Sequence, residues 1–176
     1  MEMATALLFA FLWWHYGLSF QLFLAALYTC VFLVLAMIDL EHQLILDIVV
    51  FPTLAIALLA SPLWPGLGIW SALAGGATGS VLLLLPRLVF PQGMGWGDVK
   101  MAGLIGAVTG FPLVFLALWF TALIGGVVAG GLLLAHLKGR KDLIPYGPFL
   151  ATGALVALYW GRPLLDKYLE LSAAIF

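Results

Sequence analysis

Apolar residues run through this chain in long blocks separated by short polar clusters, and seven blocks stand out, at 4–16, 18–38, 47–63, 67–90, 99–111, 112–136 and 147–161. Uninterrupted runs approaching 20 apolar residues predict helices that cross a bilayer, because only a helix satisfies its own backbone hydrogen bonds in hydrocarbon. The pattern therefore predicts an all-α fold, a polytopic transmembrane helix bundle of about seven membrane segments forming one domain over residues 1–176. The fifth block is short. Its 13 residues make a helix of about 20 Å against a hydrocarbon core of about 30 Å. Either its N-terminal end is recessed below the membrane surface or it stops early at Pro112.

Composition agrees with the pattern: 65% of residues are hydrophobic and 9% are charged, too little polar surface for a water-facing globule. Seven basic against eight acidic residues leave a net charge of -1, which gives no basic face for a nucleic-acid partner. Cys30 is the single cysteine, so an intrachain disulfide and a Cys-cluster zinc site are both excluded. It reads as a small buried apolar residue. The start, Met1-Glu2-Met3, lacks the basic region of a secretory signal and no small-residue cleavage site follows, so the first segment reads as retained.

Basic residues set the predicted orientation, since Lys and Arg favour cytoplasmic loops. Arg87 and Lys100 flank one connection and Lys138, Arg140 and Lys141 fill another, two spans away. Both are placed in the cytoplasm together with the N-terminus. Arg162 and Lys167 then fall on the far side, softened by Asp166 and Glu170, or else 162–176 is an interfacial segment of unassigned side. Small residues recur every fourth position at Gly75 and Gly79, at Ala102, Gly106 and Gly110, and at Ala122, Gly126 and Gly130. Such stripes let helices pack closely in lipid.

Against this apolar background the acids are informative, because an ionisable group at membrane depth costs about 2.5–3.5 kcal/mol or more. Asp39 ends the second block, Asp47 begins the third, and Asp98 closes Gly93-Met94-Gly95-Trp96-Gly97-Asp98 ahead of the fifth. Two crossings separate Asp39 from Asp98, which returns both carboxylates to one membrane face. A pair sharing a site can hold a single proton. One member then takes a proton from water while the other polarises a scissile carbonyl, chemistry that needs no metal, cofactor or covalent intermediate. Gly95 and Gly97 offer positive φ and open space for a peptide beside Asp98, which reads as a helix cap. Lys100 is a candidate modulator of the pair or a topology charge, and Asp47 an ordinary helix N-cap. Glu41, His42, His15 and His136 read as solvated groups at span ends.

Three segments taken together resemble, in order and spacing, the peptidase domain of bacterial type IV prepilin peptidases. They are Ile38-Asp39-Leu40-Glu41-His42-Gln43-Leu44-Ile45-Leu46-Asp47, Gly93-Met94-Gly95-Trp96-Gly97-Asp98-Val99-Lys100 and Ile144-Pro145-Tyr146-Gly147-Pro148-Phe149-Leu150-Ala151. The resemblance implies a GxGD-type aspartic peptidase with Asp39 and Asp98 as its catalytic pair near the cytoplasmic face. It implies type IV prepilin or type II secretion pseudopilin substrates, cut after a short basic leader ahead of an apolar helix. Gly95, Gly97, Lys100, Asp47, Pro145 and Gly147 fall at positions near that site, as substrate-binding or supporting residues. Many members also carry an N-terminal region with two Cys-x-x-Cys pairs that binds zinc and accompanies N-methylation; nothing in this sequence matches it, which puts methyltransferase activity in doubt.

Two other readings compete. Presenilin-like and signal-peptide-peptidase-like intramembrane proteases share the Gly-x-Gly-Asp element, but their Tyr-Asp and Pro-Ala-Leu elements do not occur here. A small ion or proton transporter would use Asp39, Asp47 and Asp98 as relay carboxylates. The oligomeric state and the individual substrate are not legible in the sequence.

Overall fold

A computed structural model describes residues 2–89, 93–135 and 145–175. The basic cluster Lys138, Arg140 and Lys141, with His136 and Ile144, lies outside the described residues. Seven α-helices follow one another with no strand among the described residues: α1 (Glu2–Tyr16), α2 (Phe20–His42), α3 (Asp47–Ala60), α4 (Ile69–Val89), α5 (Trp96–Thr109), α6 (Leu113–Leu134) and α7 (Gly147–Ile175). Each of the seven apolar blocks falls on one of these seven helices, the last block covering only the first part of α7. Three helices, α2, α4 and residues 113–132 of α6, are long and apolar enough to cross a bilayer by themselves.

Local signals account for the breaks. Gly17 adopts a left-handed φ of 57° between α1 and α2, and Ser19 caps α2 by accepting the Leu22 N–H at 3.2 Å. Gln43, left-handed at φ 53°, ends α2 with its N–H on the Asp39 carbonyl. Gly110, at φ 78°, ends α5, so the fifth block does stop just ahead of Pro112. The largest difference from the sequence pattern is at the C-terminus. Residues 162–175 form no separate interfacial segment but continue α7 as one helix of 29 residues. It runs straight through Pro163, which removes the N–H that would have met the Tyr159 carbonyl.

The core is built around α5. Every residue of this helix from Asp98 to Thr109 is buried except Lys100, and α3, α4, α6 and α7 all pack on it. An apolar helix with no polar face belongs in the middle of a bundle, which is how one too short to cross is kept from lipid. The closest packing is α4 on α5. A Cβ added at Gly75 would overlap the Gly106 carbonyl oxygen, one at Gly106 the Gly75 carbonyl oxygen, and one at Gly79 the Ala102 carbonyl oxygen. The two backbones are therefore in direct contact, as small-residue faces permit. The third stripe behaves otherwise: a Cβ added at Gly126 or Gly130 would meet nothing within 4 Å, so this face of α6 is open. Cys30 is likewise exposed rather than buried; an apolar thiol loses nothing by facing hydrocarbon.

These contacts predict opposite outcomes for chemically identical changes. Gly106→Ala must separate α4 from α5 and should destabilise the bundle by about 1–3 kcal/mol. Gly126→Ala should be neutral or stabilise by up to about 1 kcal/mol through helix propensity. Thermal unfolding of both variants in one detergent checks the pair; equal losses would mean that α4 and α5 are not in backbone contact.

Candidate active site

Asp39 stands one turn before the end of α2 and Asp98 in the first turn of α5. Both are buried, at 5% and 7% exposure, yet both line one cavity of about 470 Å³. Its walls are the turn Gln43, Leu44 and Ile45, the stretch Gly93 to Gly97, Arg87 from the end of α4, and Pro145 with Tyr146 just before α7. Each carboxylate is held by a backbone N–H. The Gly147 N–H, at the first residue of α7, donates to Asp39 Oδ2 at 2.7 Å, and the Gly95 N–H donates to Asp98 Oδ2 at 2.8 Å. Two helix N-termini, with their positive dipole ends, thus meet two acids.

Some expectations need correction. Asp98 is not the N-cap of α5; Gly95 is, and Asp98 reaches back to it from the third helical position, the return half of a capping box. Nor do Gly95 and Gly97 use positive φ: Gly95 is extended at φ -79° and ψ 157°, and Gly97 is helical. Gly97 is required for space, since a Cβ there would sit 2.7 Å from the Ile45 Cβ. That close approach folds the α2–α3 turn over the start of α5 and forms one wall of the cavity. Gly147 has the same kind of reason: its Cβ would lie 2.7 to 2.9 Å from Asp39 side-chain atoms.

Asp47 is the first residue of α3 with Leu46 as N-cap, and both its oxygens accept from Lys100 Nζ, at 2.8 and 2.7 Å. Lys100 also lies over the Phe51 ring at 5.6 Å. The lysine is therefore committed to Asp47 rather than to the two buried acids, and the pair ties α3 to α5 outside the cavity. Glu41 and His42 sit in solvent, 3.9 Å apart and both well exposed. Sequence reasoning missed Arg87 and Tyr146 as cavity residues. Arg87 was legible only as a topology charge, but its guanidinium lies 5.3 Å from the centre of the Trp96 ring on the cavity wall. Tyr146 stands inside the third motif, and what distinguishes it is its burial beside Asp98, which raises its hydroxyl pKa through desolvation first and the Asp98 charge second.

Asp98 lies outside the three helices that can cross a bilayer. Its carboxyl is pushed up from its ordinary 3.8 to about 6: burial raises it, the Gly95 N–H opposes, and the charge of nearby Asp39 raises it further. Among the described residues no cluster of three or more His, Cys, Asp or Glu side chains is arranged to hold a metal ion.

Comparison with known proteins shows the family of the chain. A sequence model described as the type IV leader peptidase family matches residues 26–130. The chain belongs to the type IV leader peptidase family. It is similar to the Prepilin leader peptidase/N-methyltransferase of Pseudomonas aeruginosa, 32% identical over 176 residues that cover 96% of this chain and 60% of that protein. The protein of the same name from Stutzerimonas stutzeri is 33% identical, again over 96% of this chain and 60% of its own length. That of Bacillus subtilis is 30% identical over 97% of this chain and 69% of its own length. The chain thus spans about three fifths of the first two relatives. No solved structure matches it significantly.

The buried carboxyl in this leader peptidase fold carries a stability cost whose sign follows from its pKa. A folded pKa above the ordinary value means that protonation favours the fold, so stability falls as pH rises from about 4 through 6 and then levels off. Asp98→Asn, which can still accept from Gly95, should therefore raise the melting temperature at pH 8 and raise it less at pH 5. A gain of the same size at both pH values would show that ionised Asp98 is not what the substitution relieves.

Proposed function

We propose that this member of the leader peptidase family is a membrane aspartic endopeptidase that removes the leaders of type IV prepilins or type II secretion pseudopilins. The observation that carries the reading is the convergence of Asp39 and Asp98, from helices two crossings apart, on one cavity of about 470 Å³. The names of the relatives support the substrate class.

In this reading residues 1–176 act as one peptidase domain and Asp39 and Asp98 work as a unit that holds one proton. The ionised carboxylate accepts a proton from a water molecule, whose oxygen attacks the scissile carbonyl carbon. The protonated carboxyl meanwhile hydrogen-bonds the carbonyl oxygen as negative charge develops there. Collapse of the tetrahedral intermediate breaks the C–N bond, and the proton taken from water goes to the leaving amine. The Gly95 and Gly147 N–H groups hold each carboxylate in a single orientation. Extended substrate backbone would lie in the cavity that Gly95, Gly97 and Pro145 line. Asp47 and Lys100 are auxiliary, bracing α3 against α5.

The basic residues Arg87 and Lys100 near this end of the bundle support placing the site at the cytoplasmic face of the inner membrane. The apolar helix that follows a prepilin leader would then lie in the same bilayer as the enzyme.

Asn preserves size and hydrogen bonding but cannot shuttle the proton. Asp39→Asn and Asp98→Asn should each lower the cleavage of a leader-bearing pilin in detergent by at least about 100-fold, and the double variant should be scarcely worse than either single one. Asp47→Asn should retain turnover. Substantial cleavage by Asp98→Asn would overturn the pairing, and a parent protein that leaves the peptide intact would favour the ion-transport reading.

Gly147→Ala offers a separate check on positioning. The added methyl displaces the Asp39 carboxylate without removing it, so kcat should fall by about 10-fold or more while KM changes little. An unchanged kcat would mean that Asp39 can work from another rotamer.

A further inference from the structure

The end of the bundle opposite the two acids holds a second cavity, of about 180 Å³, between the end of α1, the segment 64–65, the end of α5 and the middle of α7. The distance from the first site follows from the helices: Arg162 in this cavity is 15 residues beyond Gly147 on α7, about 22 Å along the axis. Gln21 and Asp39 occupy opposite ends of α2 in the same way.

Its chemistry is one-sided. Arg162, Gln21, His15, Tyr16 and Trp64, whose side chains all carry hydrogen-bond donors, line it, and among the described residues no carboxylate does. Arg162 is half-buried, and it has no hydrogen bond or ion pair with any described residue. Its guanidinium is nonetheless seated, packed against Gly66, where a Cβ would overlap it. Gly66 itself has a left-handed φ of 66°, so the turn requires glycine there, and the guanidinium occupies the space that a side chain at this position would take. A positioned guanidinium with no hydrogen-bond or ion-pair partner among the described residues, in a cavity that no carboxylate of those residues lines, is suited to an oxyanion, above all to phosphate.

The surroundings indicate the source of that phosphate. Trp13, Trp14, Trp70 and Trp160 are exposed around this end of the bundle, and aromatic residues of this kind collect at the headgroup level of a bilayer. The cavity, at about 180 Å³, has room for a phosphodiester and the atoms next to it. We propose that the Arg162 cavity binds the phosphate of an anionic phospholipid headgroup, clamping α1, the loop after α3 and α7 at the end of the protein remote from the two carboxylates. The lipid is a structural ligand, and the proposal is independent of what the opposite cavity cleaves.

Native mass spectrometry of the detergent-purified parent protein, offered equal amounts of phosphatidylglycerol and phosphatidylcholine, tests this directly. Retained adducts should favour phosphatidylglycerol by about five-fold, the preference one Arg at headgroup level supplies. Arg162→Gln should bring the ratio to about one while leaving cleavage in detergent unchanged. In parallel, phosphatidylglycerol should raise the melting temperature of the parent and not that of Arg162→Gln. Equal retention of the two lipids by the parent, which requires no folded variant, overturns the proposal. So does a preference that survives Arg162→Gln, and a rise in melting temperature with inorganic phosphate equal to that with phosphatidylglycerol would assign the cavity to free phosphate instead.

Discussion

A helix of 14 residues that begins with a buried carboxylate can exist in this molecule only because other helices enclose it. The α5 helix is too short to cross a hydrocarbon core of about 30 Å, and its residues from Asp98 to Thr109, Lys100 apart, are shielded by the bundle. The condition for that shielding is backbone contact with α4. Gly75 and Gly79 on one helix face Ala102 and Gly106 on the other so closely that a single methyl group would intervene. In a bilayer no hydrophobic force draws helices together, so van der Waals contact at this distance has to supply the attraction. The position of Asp98 at its own end of the bundle depends on it.

The same use of absent side chains recurs at the site. Gly97 lets Ile45 close over the start of α5, and Gly147 brings an N–H to Asp39 where a methyl would push the carboxylate away. Both acids are consequently buried with one backbone donor each, inside a cavity that still opens to the segment before α7. Burial raises the Asp98 carboxyl to about 6, at a cost in folding stability that a purely structural side chain would not impose. A titratable group that is destabilised by burial and lines a cavity is a candidate functional residue. The ion pair of Asp47 with Lys100 is a conventional one: exposed, close and outside the cavity.

Charge is distributed between the two ends of the protein in different ways. At the carboxylate end Asp47 answers Lys100, and two backbone donors answer Asp39 and Asp98. At the other end Arg162 is seated against Gly66 and has no protein counter-ion among the described residues. The sequence exposed that imbalance as a breach of the cytoplasmic bias of basic residues, and the fold converts it into a cavity with a single sign of charge.

How much was legible beforehand depended on whether the determinant was local. The apolar blocks marked all seven helices, because a helix in lipid is specified by the length and polarity of its own residues. The spacing of Asp39 and Asp98 across two crossings brought both to one end by connectivity alone, and their motifs carried the family. Local pattern could not say which stripe of small residues finds a partner: the one on α4 and α5 does, while Gly126 and Gly130 face open space. It could not show that Lys100 answers Asp47, or that Gly97 and Gly147 act by making room rather than by turning the chain. Each of these is set by what a distant segment places within a few ångströms. That information belongs to the packing of helices far apart in sequence, and only the tertiary structure decided it.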